Sequence, residues 1–374
     1  MSGQIPRIVL TGGVSGGHTF PLIAVARVLR RRYPQGIEIV FVGARGSLEE
    51  TAMSAESIQT KWVLYGKMRR YFSVLNYVDY LKVPIGFVQA LWHLLWFMPD
   101  VVFGKGGAAS VPVILAARLY RIPVLIHDSD AVAGRANVFL GTFVQKIAIA
   151  YPSAEQYFPR EKVALTGNPI REEILAGSIE SARERFQLDP DKQTIVIIGG
   201  SQGARGLNTA CLRIVPRLLS QGFQIIHQTG KEHIEDVMAI AADLGVQTKQ
   251  SAYQPIGFLE AGAIGDALAV ADMVISRAGA GSIAEIAARK KALLLIPLPS
   301  AANDEQRKNA YDIAEIGAAL VLEEANLGEH LFFEEIMSLM NNESLRIEMG
   351  GKLAIFSHPD AAERIADGLI DLMP

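Results

Sequence analysis

The chain has a single cysteine, Cys211, among 374 residues. It can therefore form neither an internal disulfide nor a cysteine-based zinc site, and the composition fits a reducing compartment. Cys211 itself reads as a small buried apolar residue. Excess charge is also lacking: 36 Lys and Arg stand against 39 Asp and Glu, a formal net charge of −3, which gives no reason to expect a nucleic acid partner. The apolar stretch from Val83 to Met98 is interrupted by Gly86, Gln89 and His93 and is shorter than the ~20 residues a spanning helix needs. Met1 stands almost directly before the first apolar strand, so no signal peptide is expected and a cytoplasmic location follows. His93, His227, His233, His330 and His358 show no metal-ligand spacing. No low-complexity segment is evident.

Glycine, by contrast, is concentrated where apolar strands end. Thr11-Gly12-Gly13-Val14-Ser15-Gly16-Gly17-His18 follows Ile8-Val9-Leu10, and Gly199-Gly200-Ser201-Gln202-Gly203-Ala204-Arg205 follows Ile195-Val196-Ile197-Ile198. At each, a strand hands over to a helix, so bare backbone N–H groups and a helix N-terminus can face an anion. A chain that builds this device twice is expected to hold two Rossmann-like α/β domains facing one cleft, with a nucleotide-linked substrate between them. Further buried strands are expected at Ile37–Val42, Val101–Phe103, Val124–His127, Lys146–Ile149, Val163–Thr166, Phe223–His227, Met273–Ser276 and Leu293–Pro297. The alternation is that of parallel sheets. Gly167-Asn168-Pro169-Ile170-Arg171 reads as the connector. Domains over 1–166 and 167–374 follow, with the last helix, Ala361–Leu372, crossing back to the first.

Ser276-Arg277-Ala278-Gly279-Ala280-Gly281-Ser282-Ile283-Ala284-Glu285 is a third glycine-rich strand-to-helix turn. Two readings stand. Ser282 and Glu285 can form a capping box that merely starts a helix. Alternatively, a diphosphate sits at the Gly281/Ser282 helix start while Glu285 accepts hydrogen bonds from a ribose diol. After Pro297-Leu298-Pro299, the polar run Asn303-Asp304-Glu305-Gln306-Arg307-Lys308-Asn309-Ala310 groups side chains able to bind sugar hydroxyls. Between residues 61 and 105, Lys61, Lys67, Arg69, Arg70, Lys82 and Lys105 face only Asp79 and Asp100, and all three tryptophans lie there. Basic residues beside exposed aromatics suit contact with an anionic leaflet, expected over Arg69–Leu81. Leu91–Phe97 is expected to be an ordinary helix buried against the sheet.

Taken together, this order of motifs resembles the MurG family of peptidoglycan N-acetylglucosaminyltransferases over nearly the whole chain. Gly199–Arg205 with Leu207-Asn208 looks like that family's second loop. Ser276-Arg277, Gly279 and Glu285 resemble its nucleotide turn, and Asp304, Gln306, Asn309 and Ala310 its sugar-recognition helix. Gly167–Arg171 resembles its interdomain segment, and Gly104-Lys105-Gly106-Gly107 with Ser110 and Pro112 its acceptor-side loop. The resemblance implies a GT-B enzyme at the cytoplasmic face of the membrane, bound peripherally. It would transfer N-acetylglucosamine with inversion from UDP-N-acetylglucosamine to lipid I, a polyprenyl diphosphate-linked muramyl peptide, giving lipid II for peptidoglycan synthesis, without metal or other cofactor. Arg171, Ser201, Gln202, Ala280, Gly281 and Ser282 would hold the donor diphosphate side, Phe258 and Leu259 the uracil, Glu285 the ribose, and Gln306 and Asn309 the sugar. Ser15, Gly16, Gly17, Gly106, Gly107 and Asn137 would form the acceptor and phosphate loops. His18, with an ordinary pKa of ~6.5 close to working pH, can act as general base, orient the acceptor, or simply close its loop. Asp128 would orient His18 or take the acceptor proton itself.

The sequence departs from the family pattern at Val14 (usually glycine), Ser15 (usually threonine), Ala108 (usually aromatic) and His127-Asp128-Ser129-Asp130 (usually His-Glu-Gln-Asn), although Gly134 and Asn137 follow in place. An ionised Asp130 near an acceptor diphosphate would repel it unless protonated, paired with Arg135 or turned to a sugar hydroxyl. Asp128 and Asp130 also spell Asp-x-Asp, which binds metal in another transferase architecture; metal is not expected here. Three other readings share the motifs: a lipid glycosyltransferase using diacylglycerol, a UDP-N-acetylglucosamine 2-epimerase and a non-catalytic sugar-nucleotide binder.

Overall fold

The computed structural model describes residues 5–13, 16–66, 75–200, 203–248 and 252–374, and of residues 47, 48, 75–81 and 302 the backbone alone. Ser15, Ser201, Gln202 and the 67–74 part of the basic aromatic patch therefore lie outside the described residues. The chain divides into two compact units, one of Met1–Ile170 with His358–Pro374, the other of Arg171–Ser357.

The first unit runs β1 (Arg7–Thr11), α1 (Gly16–Arg32), β2 (Glu38–Gly43), α2 (Ser47–Ala55), β3 (Gln59–Trp62), α3 (Leu75–Phe97), β4 (Val101–Gly104), α4 (Ser110–Leu119), β5 (Val124–Asp128), α5 (Arg135–Gly141), β6 (Lys146–Ile149) and β7 (Val163–Leu165). All pairings are parallel, in the order β3-β2-β1-β4-β5-β6-β7. Strand residues alternate between two cores, Ile8 and Leu10 on one face and Val9 on the other, because side chains along a strand point to opposite faces and crossover helices cover both. The order reverses between β1 and β4, a switch point where the crevice outside the strand ends takes ligands.

The second unit runs α6 (Glu172–Ala176), α7 (Ile179–Phe186), β8 (Thr194–Ile198), α8 (Arg205–Ser220), β9 (Gln224–Gln228), α9 (Ile234–Asp243), β10 (Tyr253–Ile256), α10 (Ala261–Val270), β11 (Met273–Ser276), α11 (Ala280–Ala288), β12 (Ala292–Leu295), α12 (Glu305–Glu315), β13 (Leu320–Val321), α13 (Glu329–Met340) and α14 (Glu343–Leu353). Its sheet, order β10-β9-β8-β11-β12-β13, is also parallel and switches between β8 and β11. The last helix, α15 (Ala361–Ile370), packs on α1 in the first unit, where Ile365 and Leu369 join the core of Leu22 and Val25. A Cβ on Gly167, which has φ +81°, would lie 2.3 Å from His358 Cβ, so glycine there lets the returning segment in.

Helix α3 corrects one expectation. Among its described side chains the stripe Gly86, Ala90 and Leu94 is the buried part, and Gly86 allows close approach to the Leu64 carbonyl. Trp92 (59% exposed), Leu95 and Trp96 (72%) face out. Gly86, Ala90 and Leu94 recur at i, i+4 and i+8 and line the packed face, which Phe87, Leu91 and Phe97 flank half-buried. No helix among the described residues is long and apolar enough to cross a membrane.

Candidate active site

In the first unit, the ends of β1, β4 and β5 gather residues expected on the acceptor side. Gly106 and Gly107 have φ of +83° and +84°, and a Cβ on Gly107 would lie 2.7 Å from Gly13 Cα. Only glycine permits this close pairing of two loops. A Cβ on Gly13 would lie 3.2 Å from His18 Cε1, and one on Gly106 2.8 Å from Asn137 Nδ2. His18, both glycine pairs and Asn137 therefore share one patch, with Gly16 and Gly17 opening α1 beside it.

Asp128 is buried at 4% exposure. Its Oδ1 accepts from Asp130 N (3.3 Å), and its Oδ2 from Gly134 N (3.0 Å) and Asn137 Nδ2 (2.9 Å). This corrects the expected role: the carboxylate holds its own loop and is not turned out as a base. Asn137 also donates to His127 O at 3.1 Å, so it braces that loop from α5. His127 Nε2 lies 2.9 Å from Gly167 O.

Lys105, which the sequence shows within a basic window and the Gly104–Gly107 loop but to which no role of its own was given, is the electrostatic centre of the patch. It is 3% exposed, and its Nζ donates to Ser129 Oγ, which in turn donates to Asn168 Oδ1 at 2.9 Å. Burial pulls its ammonium down to about 8, while Asp128 and Asp130 pull it back up. Burial, then Lys105, lowers His18 to about 4, and the same two causes hold His127 well below its usual value. His18 is thus neutral at working pH, and the expectation of an unperturbed value near it does not hold. Thr11 Oγ1, His127 Nδ1, Asn137 Oδ1 and Asn168 Nδ2 are buried near these strand ends without a protein partner, a pattern that marks polar sites more than packed cores.

In the second unit, α11 begins at Ala280 with Gly279 as N-cap and no side-chain cap. Ser282 is the third helical residue, so the capping-box reading fails. Glu285 instead accepts from Arg171 Nε (3.0 Å) and Nη2 (2.8 Å), with both side chains about one-sixth exposed. Burial raises the Glu285 pKa against the lowering pull of Arg171. No atom lies within 4 Å of a Cβ built on Gly281, leaving the first-turn N–H groups of Gly281 and Ser282 open to an anion. The loop after β8 is held by Gln228 Nε2 donating to Gly200 O at 3.0 Å, and Gly203 has φ +79°.

Gln306 Oε1 accepts from Leu298 N at 3.0 Å, so its amide nitrogen is the end that can serve a sugar. Asn309 also departs from expectation: it is fully buried and its Nδ2 donates to Ala278 O at 3.1 Å, bracing the turn before α11 and exposing nothing to a sugar. Leu259 is buried, while Phe258 is 37% exposed with Lys231 Nζ 4.9 Å from its ring centroid. Arg277 of the nucleotide turn donates to Ile296 O and pairs with Glu324, whereas Lys231 was not singled out from sequence. Among the described residues no group of three or more His, Cys, Asp or Glu is placed to hold a metal ion.

Comparison with known proteins gives the family and the fold. The glycosyltransferase family 28 N-terminal domain matches residues 8–149 and its C-terminal domain residues 194–365. A UDP-N-acetylglucosamine--N-acetylmuramyl-(pentapeptide) pyrophosphoryl-undecaprenol N-acetylglucosamine transferase of Halothermothrix orenii is 37% identical over 90% of this chain and 91% of its own. The Bacillus subtilis transferase of the same name is 32% identical over 98% and 99%. The crystal structure of Acinetobacter baumannii MurG superposes with a TM-score of 0.78 at 27% identity, covering 98% of this chain and 99% of that one. A Staphylococcus aureus MnaA–UDP structure, at 14% identity and TM-score 0.70, shares the fold alone.

Proposed function

We infer that this chain, which belongs to glycosyltransferase family 28 and has its GT-B fold, is an N-acetylglucosaminyltransferase of peptidoglycan synthesis. It moves N-acetylglucosamine from UDP-N-acetylglucosamine to the muramyl sugar of lipid I, giving lipid II. The observation that carries this reading is the near-full-length match to transferases of that name.

The reaction is an in-line displacement at the anomeric carbon, with positive charge growing on the sugar and negative charge on departing UDP. Arg171 and the open α11 start are the groups suited to the leaving diphosphate. Glu285, already oriented by Arg171, would then accept from the ribose hydroxyls. Phe258 and Leu259 border the uracil position, and Gln306 offers its amide to the sugar. On the acceptor side, the α1 start at Gly16–His18 and the Gly106–Gly107 loop would offer backbone N–H groups to the polyprenyl diphosphate. An anion bound there raises the His18 pKa by attraction and so improves it as a proton acceptor.

Contact with an anionic leaflet is assigned to α3, whose outward Val88, Trp92, Leu95 and Trp96 form an apolar stripe. The test is mass spectrometry of products from UDP-N-acetylglucosamine with a soluble lipid I analogue or with diacylglycerol. Glycosylation of the analogue alone is expected; glycosylated diacylglycerol would replace this reading.

A further inference from the structure

We propose that Lys105 is the residue that lets the divergent 128–130 segment face an anionic acceptor: its buried ammonium neutralises Asp128 and Asp130 and so positions the acceptor diphosphate. The proposal rests on the acceptor reading above.

Lys105 sits at the β1/β4 switch point, where its backbone N donates to Thr11 O at 2.8 Å. Its side chain runs past Gly12, on which a Cβ would lie 3.5 Å from Lys105 Cβ, and ends on Ser129 Oγ. That hydroxyl stands between the two carboxylates in sequence, and both pull on the ammonium. A cation so enclosed is stable only when paired. The converse also holds, since two carboxylates left alone beside the phosphate loops would repel a diphosphate. Asp128 holds Asp130 N, Gly134 N and Asn137, so replacing it would disturb the loop as well as the charge, and Asp130 is the carboxylate to neutralise in a test. Among the described residues the titratable groups around the ammonium are Asp128 and Asp130 from the β5 end, His127 on β5 and His18 on α1. Both histidines are held neutral in the alkaline range, which leaves Lys105 as the group in this cluster that changes charge there.

The test is a cycle of Lys105→Met, Asp130→Asn and the double variant in the full chain, with steady-state kinetics on UDP-N-acetylglucosamine and a short-chain prenyl lipid I analogue. Lys105→Met should raise acceptor KM about tenfold or more, leaving donor KM within about twofold. Adding Asp130→Asn should restore much of the loss. In wild type, acceptor KM should climb as pH rises through about 8, and Lys105→Arg, which stays charged, should keep acceptor KM low and abolish that climb. Unchanged acceptor KM in Lys105→Met, an equal rise in both KM values, or no rescue by Asp130→Asn would each overturn the proposal while wild-type turnover upholds the acceptor reading. If Lys105→Met does not fold, the decision passes to Lys105→Arg, where persistence of the alkaline climb overturns it. No wild-type turnover of the analogue would overturn both.

Discussion

Asp128 shows what a motif conceals at the scale of one residue. The sequence places a carboxylate where the family keeps one, but a shorter side chain cannot both reach out and hold Gly134 and Asn137, and the structure spends it on holding. Asp128→Ala and Asp128→Asn should each lower stability by about 1–3 kcal/mol in thermal or denaturant unfolding, since buried donors lose their acceptor; unaltered stability would contradict that role. His18 carries a pH signature. Its folded pKa of about 4 lies below the ordinary 6.5, so between those values the unfolded chain binds a proton that the folded chain does not. Stability is present above 6.5 and is lost as pH falls towards 4. His18→Gln should therefore lose less thermal stability than wild type between pH 7 and pH 5, and equal losses would place the titration elsewhere. The sequence singles out Glu285 and Arg171 separately, whereas their pairing across 114 positions was not legible. Glu285→Ala should weaken UDP affinity by about 1.5–3 kcal/mol by calorimetry, the scale of hydrogen bonds to a charged group.

At the scale of elements, the buried strands were legible because parallel strands covered on both faces are continuous apolar runs. Three were not. β3 reads Gln-Thr-Lys-Trp and β13 is two residues long, and both lie at sheet edges. β10 carries Pro255, which an edge strand tolerates because one side of its ladder needs no donor. The two donor loops separate folding from binding. Gly203→Ala would put a Cβ 2.4 Å from Thr229 O at positive φ and should destabilise by more than about 1 kcal/mol. Gly281→Ala has open space around it and should gain up to about 1 kcal/mol as a better helix former, yet lose UDP affinity by crowding the helix start. Loss of stability in Gly281→Ala, or intact UDP binding, would contradict the anion site. Replacing Trp92 and Trp96 with glutamate should reduce co-sedimentation with anionic vesicles; unchanged co-sedimentation would remove α3 from the membrane contact.

For the whole molecule, two glycine loops were enough to anticipate two parallel sheets, because each loop lies at a switch point where strand order reverses. The Lys105 cluster was not legible: it joins residues 24 positions apart in sequence, and only the packing of β4 beside β5 brings them together. In the proposed reaction UDP leaves only when a lipid-linked muramyl acceptor takes the sugar. UDP release from UDP-N-acetylglucosamine, measured with and without a lipid I analogue in EDTA, tests this. Release should require the analogue and match disaccharide formed mole for mole. Acceptor-independent release of UDP, or conversion of the sugar without any acceptor, would contradict it.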